Sequence, residues 1–122
     1  MKRILIVDDA ATVRMYHRNI LESAGYAVEE AVNGIEGLEK SLQDSFDLYV
    51  VDINMPKLDG YGFLRELRAQ DIVQAPAIMV STEAESNDHV QAYAAGANAY
   101  LVKPVKPEQL LTYARLLLGE TA

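Results

Sequence analysis

Polar residues capable of chemistry follow most of the short apolar runs of this 122-residue chain. They are Asp8 and Asp9 after the first run, Asp52 after the third, Ser81 after the fourth and Lys103 after the fifth. Three carboxylates, if they converge, supply the oxygen ligands that Mg²⁺ or Mn²⁺ prefers, and a lysine ammonium can balance a phosphate. A carboxylate in such a site can act as a nucleophile and form an aspartyl phosphate. The pattern therefore predicts phosphoryl chemistry, with Asp52 as the central acceptor.

Convergence of these residues requires a fold that brings the ends of the apolar runs together. The runs span Ile4–Val7, Tyr26–Ala31, Leu48–Val51, Ala77–Val80 and Ala99–Val102. Amphipathic segments alternate with them, at about Ala11–Ala24, Gly34–Gln43, Tyr61–Gln70, Ser86–Ala95 and from Pro107 onward. This alternation predicts an α/β, flavodoxin-like, doubly wound sheet of five parallel strands in the order 2-1-3-4-5, with five helices. The second run contains Glu29 and Glu30, so it is expected at a sheet edge.

In this strand order the first and third strands are neighbours, and ligands bind at the carboxyl ends of the strands. Asp8, Asp9 and Asp52 should therefore lie together. Carboxylates held this close repel one another and raise one another's pKa, which a bound cation would relieve.

Composition excludes several classes of protein. The length predicts one domain over residues 1–122, without an output domain, and the 50% hydrophobic content predicts a globular core. Eighteen acidic against eleven basic residues give a net charge of −7, which argues against a nucleic-acid-binding surface. No apolar run is long enough to insert in a membrane. The chain has no cysteine, which excludes disulfides and fits a cytoplasmic location.

Four motifs in this order resemble those of the receiver domains of bacterial two-component response regulators. They are IVDD, VVDINMPKLDGYGF, MVSTEA and AGANAYLVKP. The resemblance covers the whole chain. It implies a signalling protein that accepts a phosphoryl group from the phosphohistidine of a sensor histidine kinase, rather than an enzyme with an external substrate.

The resemblance also implies roles for individual residues at the strand ends. Asp52 is the expected phosphoacceptor and, with Asp9, a direct Mg²⁺ ligand. Asp8 helps to hold the cation, often through water, and the main-chain carbonyl of Asn54 is the third protein ligand. Lys103 is expected to contact the acyl phosphate.

A conformational switch is implied as well. Ser81 is the hydroxyl expected to move toward the new phosphoryl group, and Tyr100 is the aromatic residue that then turns inward. Asn54 and Glu83 occupy positions that tune hydrolysis, so we expect a short-lived phosphoaspartate. Pro104 occupies the family's cis-proline position.

The expected output surface is formed by the fourth helix, the fifth strand and the fifth helix. Its candidate residues are His89, Tyr93, Tyr100, Tyr113 and Leu116. Members of the family from enteric chemotaxis carry more basic residues here, so the resemblance does not extend to the basic patch that contacts the flagellar switch protein. An effector protein is expected to bind this surface, and the chain is expected to be a monomer or a weak dimer promoted by phosphorylation.

Alternative functions stay open from sequence alone. A phosphate sink or phosphorelay intermediate would carry the same motifs without an effector. A Mg²⁺-dependent phosphohydrolase would use an aspartate nucleophile, but such enzymes place it on the first strand, with a second Asp two residues later. A flavodoxin-type protein would need a hydroxyl- and glycine-rich loop where this chain has DDAAT.

Overall fold

The computed structural model describes residues 1–82 and 86–120. Five strands alternate with five helices along the chain. The strands are β1 (Arg3–Val7), β2 (Ala27–Ala31), β3 (Leu48–Asp52), β4 (Ala77–Ser81) and β5 (Ala99–Val102). The helices are α1 (Ala11–Ser23), α2 (Gly34–Gln43), α3 (Gly60–Arg68), α4 (Ser86–Ala95) and α5 (Pro107–Leu117).

The strands form one parallel sheet in the order β2-β1-β3-β4-β5, as the sequence predicts. β1, β3 and β4 are buried along nearly their whole length, since helices cover both faces. The order places the ends of β1 and β3 side by side, and the end of β4 beside that of β3. The residues at these ends therefore share one edge of the sheet.

Two apolar layers hold the helices on the sheet. One face packs against α3 and α4 through residues such as Phe63, Leu67 and Ala92. The other face packs against α1 and α5 through residues such as Leu21 and Leu110. This sandwich fixes the strand ends relative to one another, because each layer interlocks side chains from several elements.

The edge strand β2 carries the charges that predicted its position. Glu30 accepts hydrogen bonds from Arg14 at 2.8 Å and from Arg18 at 2.5 Å, and Glu29 pairs with Arg3. These contacts bring α1 and β1 against the strand while leaving its acidic side chains near solvent.

Helix ends follow local signals, with one exception. Gly25 and Gly96 adopt positive φ angles of 94° and 114° just beyond α1 and α4, the conformation that glycine allows most readily. Thr12 is of a type that often caps a helix, but it does not cap α1. Ala10 occupies the N-cap position without a side-chain hydrogen bond, and Thr12 lies inside the first turn. Among the described residues, no helix has the length and apolar character needed to span a bilayer.

Candidate functional site

A lysine and two buried carboxylates meet at the carboxyl edge of the sheet. The Nζ of Lys103 donates to Oδ1 of Asp52 at 2.9 Å and to Oδ2 of Asp8 at 3.3 Å. Asp8 is 1% exposed and Asp52 is 4% exposed. Lys103 follows β5 and Asp52 ends β3, so this contact joins strands on either side of β4.

Asp9 completes a cluster of three acids. Oxygen atoms of Asp8, Asp9 and Asp52 lie within 4.8 Å of one another, a spacing that one cation could bridge. Asp9 is exposed whereas the other two are buried, so the cluster opens to solvent on one side. Because Mg²⁺ is held by a few carboxylates and keeps several water ligands, this open and oxygen-only donor set fits it. The three acids therefore meet as the strand order predicts.

The environment of Asp52 disfavours its ionised form. Burial raises the pKa of this carboxyl, and the charges of Asp8 and Asp9 raise it further, although the hydrogen bond from Lys103 opposes both. Burial alone would lower the pKa of Lys103, but its contacts with Asp52 and Asp8 outweigh this effect and raise it. The site thus holds excess negative charge that one ammonium does not neutralise.

The loop after β3 is packed tightly against the backbone of Asp52. Gly60, the first residue of α3, donates its N–H to the Ile53 carbonyl at 2.8 Å. A Cβ at Gly60 would lie 2.4 Å from the main-chain oxygen of Asp52. The Asp59 side chain caps α3 by accepting from the N–H of Gly62 at 2.7 Å. Only glycine permits this approach, which fixes the backbone that carries the acceptor.

The loop after β1 is held by its own acid and by a basic residue of α1. Oδ1 of Asp8 accepts from the N–H of Ala10 at 2.9 Å, and the Asp8 carbonyl accepts from Arg14 at 2.8 Å. Arg14 also pairs with Glu30. Sequence reasoning did not assign this positioning role to Arg14, and its place in the first turn of α1, shortly after Asp8, was the available signal.

Of the residues expected to switch, Ser81 lies at the strand end beside that of Asp52, and Tyr100 lies farther back in the sheet, opposite Met79. Ser81 ends β4 and is fully buried, whereas Thr82 after it is exposed. Tyr100 is on β5 and is 7% exposed, so its ring is already turned inward. The Lys103–Pro104 peptide bond is cis, as the resemblance implied.

Of the two residues expected to tune hydrolysis, Asn54 is among the described residues and Glu83 is not. Asn54 is exposed two residues after Asp52, where its side chain can reach solvent near the acceptor. Glu83 lies outside the described residues, so its expected role stays a prediction.

The expected output surface is largely exposed. Tyr93 on α4 is 50% exposed, and Tyr113 and Leu116 on α5 are 38% and 66% exposed. His89 is partly buried and stacks on Tyr100. The surface therefore presents apolar and aromatic side chains without a basic cluster among its candidate residues.

One buried histidine lies near the site and has no role assigned from the sequence. His17 on α1 is 1% exposed, and its Nδ1 has no hydrogen-bond partner among residues 1–82 and 86–120. Burial lowers the pKa of this imidazole, and the charge of Lys103 lowers it further against the opposing effect of Asp8. It faces a pocket of about 330 Å³ that Lys103 and Val105 also line. No periodic signal distinguished it from the apolar residues of the same helix face.

Known proteins are similar to this chain in sequence and in fold. Residues 4–115 match the family described as the response regulator receiver domain. The chain belongs to this family. This receiver domain is 42% identical to the chemotaxis protein CheY of Bacillus subtilis over 110 residues, which cover 89% of the chain and 91% of CheY. It is 37% identical to the transcriptional regulatory protein ResD of the same organism, covering 95% of the chain and 48% of ResD. The chain spans about half the length of several curated relatives that it matches.

A solved structure of a similar domain bears on the acidic cluster. The receiver domain of the sensor histidine kinase PA1611 from Pseudomonas aeruginosa PAO1 is 31% identical, with a TM-score of 0.90 and coverage of 98% of each chain. That structure has a magnesium ion coordinated in its active-site cleft. In this chain Asp8, Asp9 and Asp52 form an acidic cluster with a spacing that suits one cation. Since some relatives are named as transcriptional regulators, the expectation that no nucleic acid is involved stays a prediction.

Proposed function

We propose that this receiver domain accepts a phosphoryl group on Asp52 from the phosphohistidine of a sensor histidine kinase. The observation that carries the proposal is the cluster at the sheet edge, in which Asp52 lies between Asp8, Asp9 and the ammonium of Lys103. The acceptor lies on a rigid strand end with its backbone fixed by the adjoining loop, which favours a defined line of attack.

The transfer exchanges one bond to phosphorus for another. An oxygen of the Asp52 carboxylate forms a bond to phosphorus while the phosphorus–nitrogen bond to the donor imidazole breaks. The imidazole nitrogen keeps the electron pair and takes a proton from solvent. Lys103, which now bonds to Asp8 and Asp52, is close enough to move its ammonium onto the new phosphoryl oxygens. Hydrolysis by water then releases phosphate and restores the carboxylate.

Asp8, Asp9 and Asp52 would hold the cation, and the Asn54 carbonyl would complete the protein ligands. Bound Mg²⁺, or Mn²⁺ in its place, would supply positive charge to the phosphoryl oxygens during transfer. Three carboxylates, one divalent cation and one lysine sum to zero charge, so an incoming phosphoryl group does not meet a net negative site. Burial and the charges of Asp8 and Asp9 raise the pKa of Asp52, and a bound cation would offset those charges.

The signal would be read at the surface formed by α4, β5 and α5. Phosphorylation adds negative charge and acceptor oxygens at Asp52, and Ser81 is placed to respond to them from the neighbouring strand end. Tyr93, Tyr113 and Leu116 supply exposed apolar area that suits a protein partner. An effector protein is therefore the proposed partner, with a weak dimer promoted by phosphorylation as the second outcome for the same surface.

Chemotaxis is the pathway that we propose first, because the match to CheY extends over 91% of that protein. A phosphate sink or relay is the alternative. The cytoplasmic location stays a prediction. Pull-down with the protein in beryllofluoride and Mg²⁺ separates the two roles. A partner retained only in the activated form supports an effector, whereas capture of the kinase alone supports a sink.

A phosphohydrolase is the competing enzymatic function. It predicts steady release of alcohol from an added phosphoester, such as p-nitrophenyl phosphate, with Mg²⁺ present. A receiver domain predicts at most single self-dephosphorylation of Asp52 and no such turnover, so this assay decides whether the protein is an enzyme with an external substrate.

Beryllofluoride binding tests the proposed function, since this anion mimics an acyl phosphate on aspartate. The protein should bind it only with Mg²⁺, as a rise in melting temperature and shifts of NMR signals around Ser81 and Lys103. Asp52→Asn should abolish both effects and Asp59→Asn, a change of the same kind in an exposed acid nearby, should keep them. Binding that survives Asp52→Asn would contradict the proposal.

A further inference from the structure

The imidazole of His89 covers the phenol ring of Tyr100. The two ring centroids are 4.1 Å apart and the planes are inclined by 28°, which is a stacked arrangement. His89 belongs to α4 and Tyr100 to β5, so the ring pair spans the space between a helix and the sheet. Tyr100 is largely buried and His89 only partly buried, so the imidazole forms the outer side of the pair.

The register of the sheet connects this ring pair to Ser81. Met79 pairs with Tyr100 and Ser81 with Val102 along β4 and β5. Since side chains two residues apart on a strand share a face, Ser81 and Tyr100 are diagonal neighbours on one face of the sheet. Met79 and Tyr100 lie in the same core cluster as Ala92 of α4, so this is the face that α4 covers. The three side chains therefore form a spatial series from the acidic site to the surface, with Ser81 first, Tyr100 next and His89 outermost.

We propose that His89 is a positioning residue that holds Tyr100 in its inward position before any phosphoryl group is present. The consequence is that this receiver domain is biased in advance toward the conformation that binds a phosphoryl group. The inference rests on the proposed function for its coupling to Asp52. Its first part, that His89 keeps the Tyr100 ring buried, stands on the stacking geometry alone.

Thermodynamic linkage gives the expected size of the effect. A residue that stabilises one of two conformations also strengthens the binding of any ligand that prefers this conformation. A stacked aromatic pair shifts such an equilibrium by about twofold to tenfold. If the inward ring of Tyr100 and a phosphoryl mimic at Asp52 favour the same state, loss of His89 should weaken binding of the mimic by that factor.

Substitution of His89 should leave α4 in place. The hydroxyl of Tyr61 on α3 donates to the main-chain carbonyl of Asp88 at 3.4 Å, which ties the start of α4 to its neighbour without His89. Val90 next to it is 65% exposed on the same helix and provides a matched control. His89→Phe keeps an aromatic ring at the position, whereas His89→Ala removes it.

Two measurements test the inference. The first is the exposure of the Tyr100 ring in the unmodified protein, read from the NMR relaxation of its ring protons by a soluble gadolinium chelate. The second is the beryllofluoride concentration for half-saturation with Mg²⁺. His89→Ala should expose the ring and raise this concentration by about twofold to tenfold. His89→Phe and Val90→Ala should match the wild-type protein in both.

Each contrary result has its own meaning. An unchanged ring exposure in His89→Ala overturns the inference, and so does exposure with unchanged beryllofluoride affinity, since the ring would then be uncoupled from the site. Equal behaviour of His89→Phe and His89→Ala would show that stacking is not the cause. If the wild-type protein itself fails to bind beryllofluoride, the proposed function fails, while the ring exposure still decides whether His89 holds Tyr100.

Discussion

Replacing Lys103 by methionine removes the only cation that bonds to the buried carboxylates in the described part of the chain. Methionine preserves the apolar length of the side chain but cannot donate to Asp8 or Asp52. The substitution therefore leaves two acids, 1% and 4% exposed, close together without a counter-charge. We expect a large and pH-dependent loss of stability.

The contact distances set the size of this loss. At 2.9 Å and 3.3 Å, two ion pairs in a medium of effective dielectric constant of about 20 correspond to about 6 and about 5 kcal/mol of attraction. Removal of the ammonium also removes its own desolvation cost, so the net loss is smaller. Breaking a buried pair by deleting one partner typically costs about 3–5 kcal/mol, and we expect about 3 kcal/mol near pH 7.

Protonation should reduce the penalty at lower pH. The pKa of Asp52 is already raised in the folded protein by burial and by its acidic neighbours, and loss of Lys103 raises it further. An acid with a raised folded-state pKa loses stability as the pH rises above its unfolded value of 3.8. Urea denaturation at about pH 5 and about pH 7 should therefore show a smaller loss at the lower pH. Millimolar Mg²⁺ should reduce the loss at neutral pH, since a cation replaces the missing charge.

Lys106→Met is the matched control. Lys106 is exposed and caps α5 through its backbone without a side-chain hydrogen bond, so its replacement should change stability by less than about 0.5 kcal/mol. If Lys103→Met is as stable as this control, or if its loss is the same at both pH values, the electrostatic reasoning about the site is wrong.

Three further predictions concern the surroundings of the site. Gly60→Ala should lower the free energy of unfolding by about 1–3 kcal/mol in urea and slow phosphorylation by acetyl phosphate, because the Cβ meets the Asp52 backbone; a variant with wild-type stability and rate would contradict this. Wild-type stability should fall as the pH drops below 6.5, because the unfolded chain takes up a proton that buried His17, with its lowered pKa, resists. His17→Leu should make this fall shallower in denaturation series at several pH values, and an equally steep fall would exclude His17 as a cause. Asn54→Ala and Glu83→Ala should each lengthen the phosphoaspartate lifetime several-fold in a radiolabel decay assay. Unchanged lifetimes would show that neither residue contributes to the rate of hydrolysis.

Sequence patterns predicted the strand order because the alternation of strands and helices favours a doubly wound sheet, for which the order 2-1-3-4-5 is common, and because charge agrees with an edge position for the second strand. Glu29 and Glu30 indicated that the second strand lies at an edge. The other four runs have apolar side chains on both faces, which indicated strands covered by helices on both sides. Once the order is known, convergence of Asp8, Asp9 and Asp52 follows from parallel geometry alone. Most element bounds agree with those predicted, and the others differ by only one or two residues.

Local choices that depend on packing were less predictable. Thr12 is a good N-cap residue, but Ala10 takes the cap position because the Asp8 side chain already accepts from its N–H. The extent to which His17 is buried depends on how closely α1 packs against the sheet, and an amphipathic pattern does not specify this distance. The stacking of His89 on Tyr100 depends on two rotamers from distant elements, and no sequence spacing encodes it.

The most direct test of the central claim is the mass of the protein after incubation with acetyl phosphate and Mg²⁺, followed by mapping of the modified peptide. The account predicts the addition of one phosphoryl group on Asp52. This addition should not occur when EDTA removes the cation, and it should not occur in Asp52→Asn. An unmodified wild-type protein, or a phosphoryl group that persists in Asp52→Asn, would contradict the account.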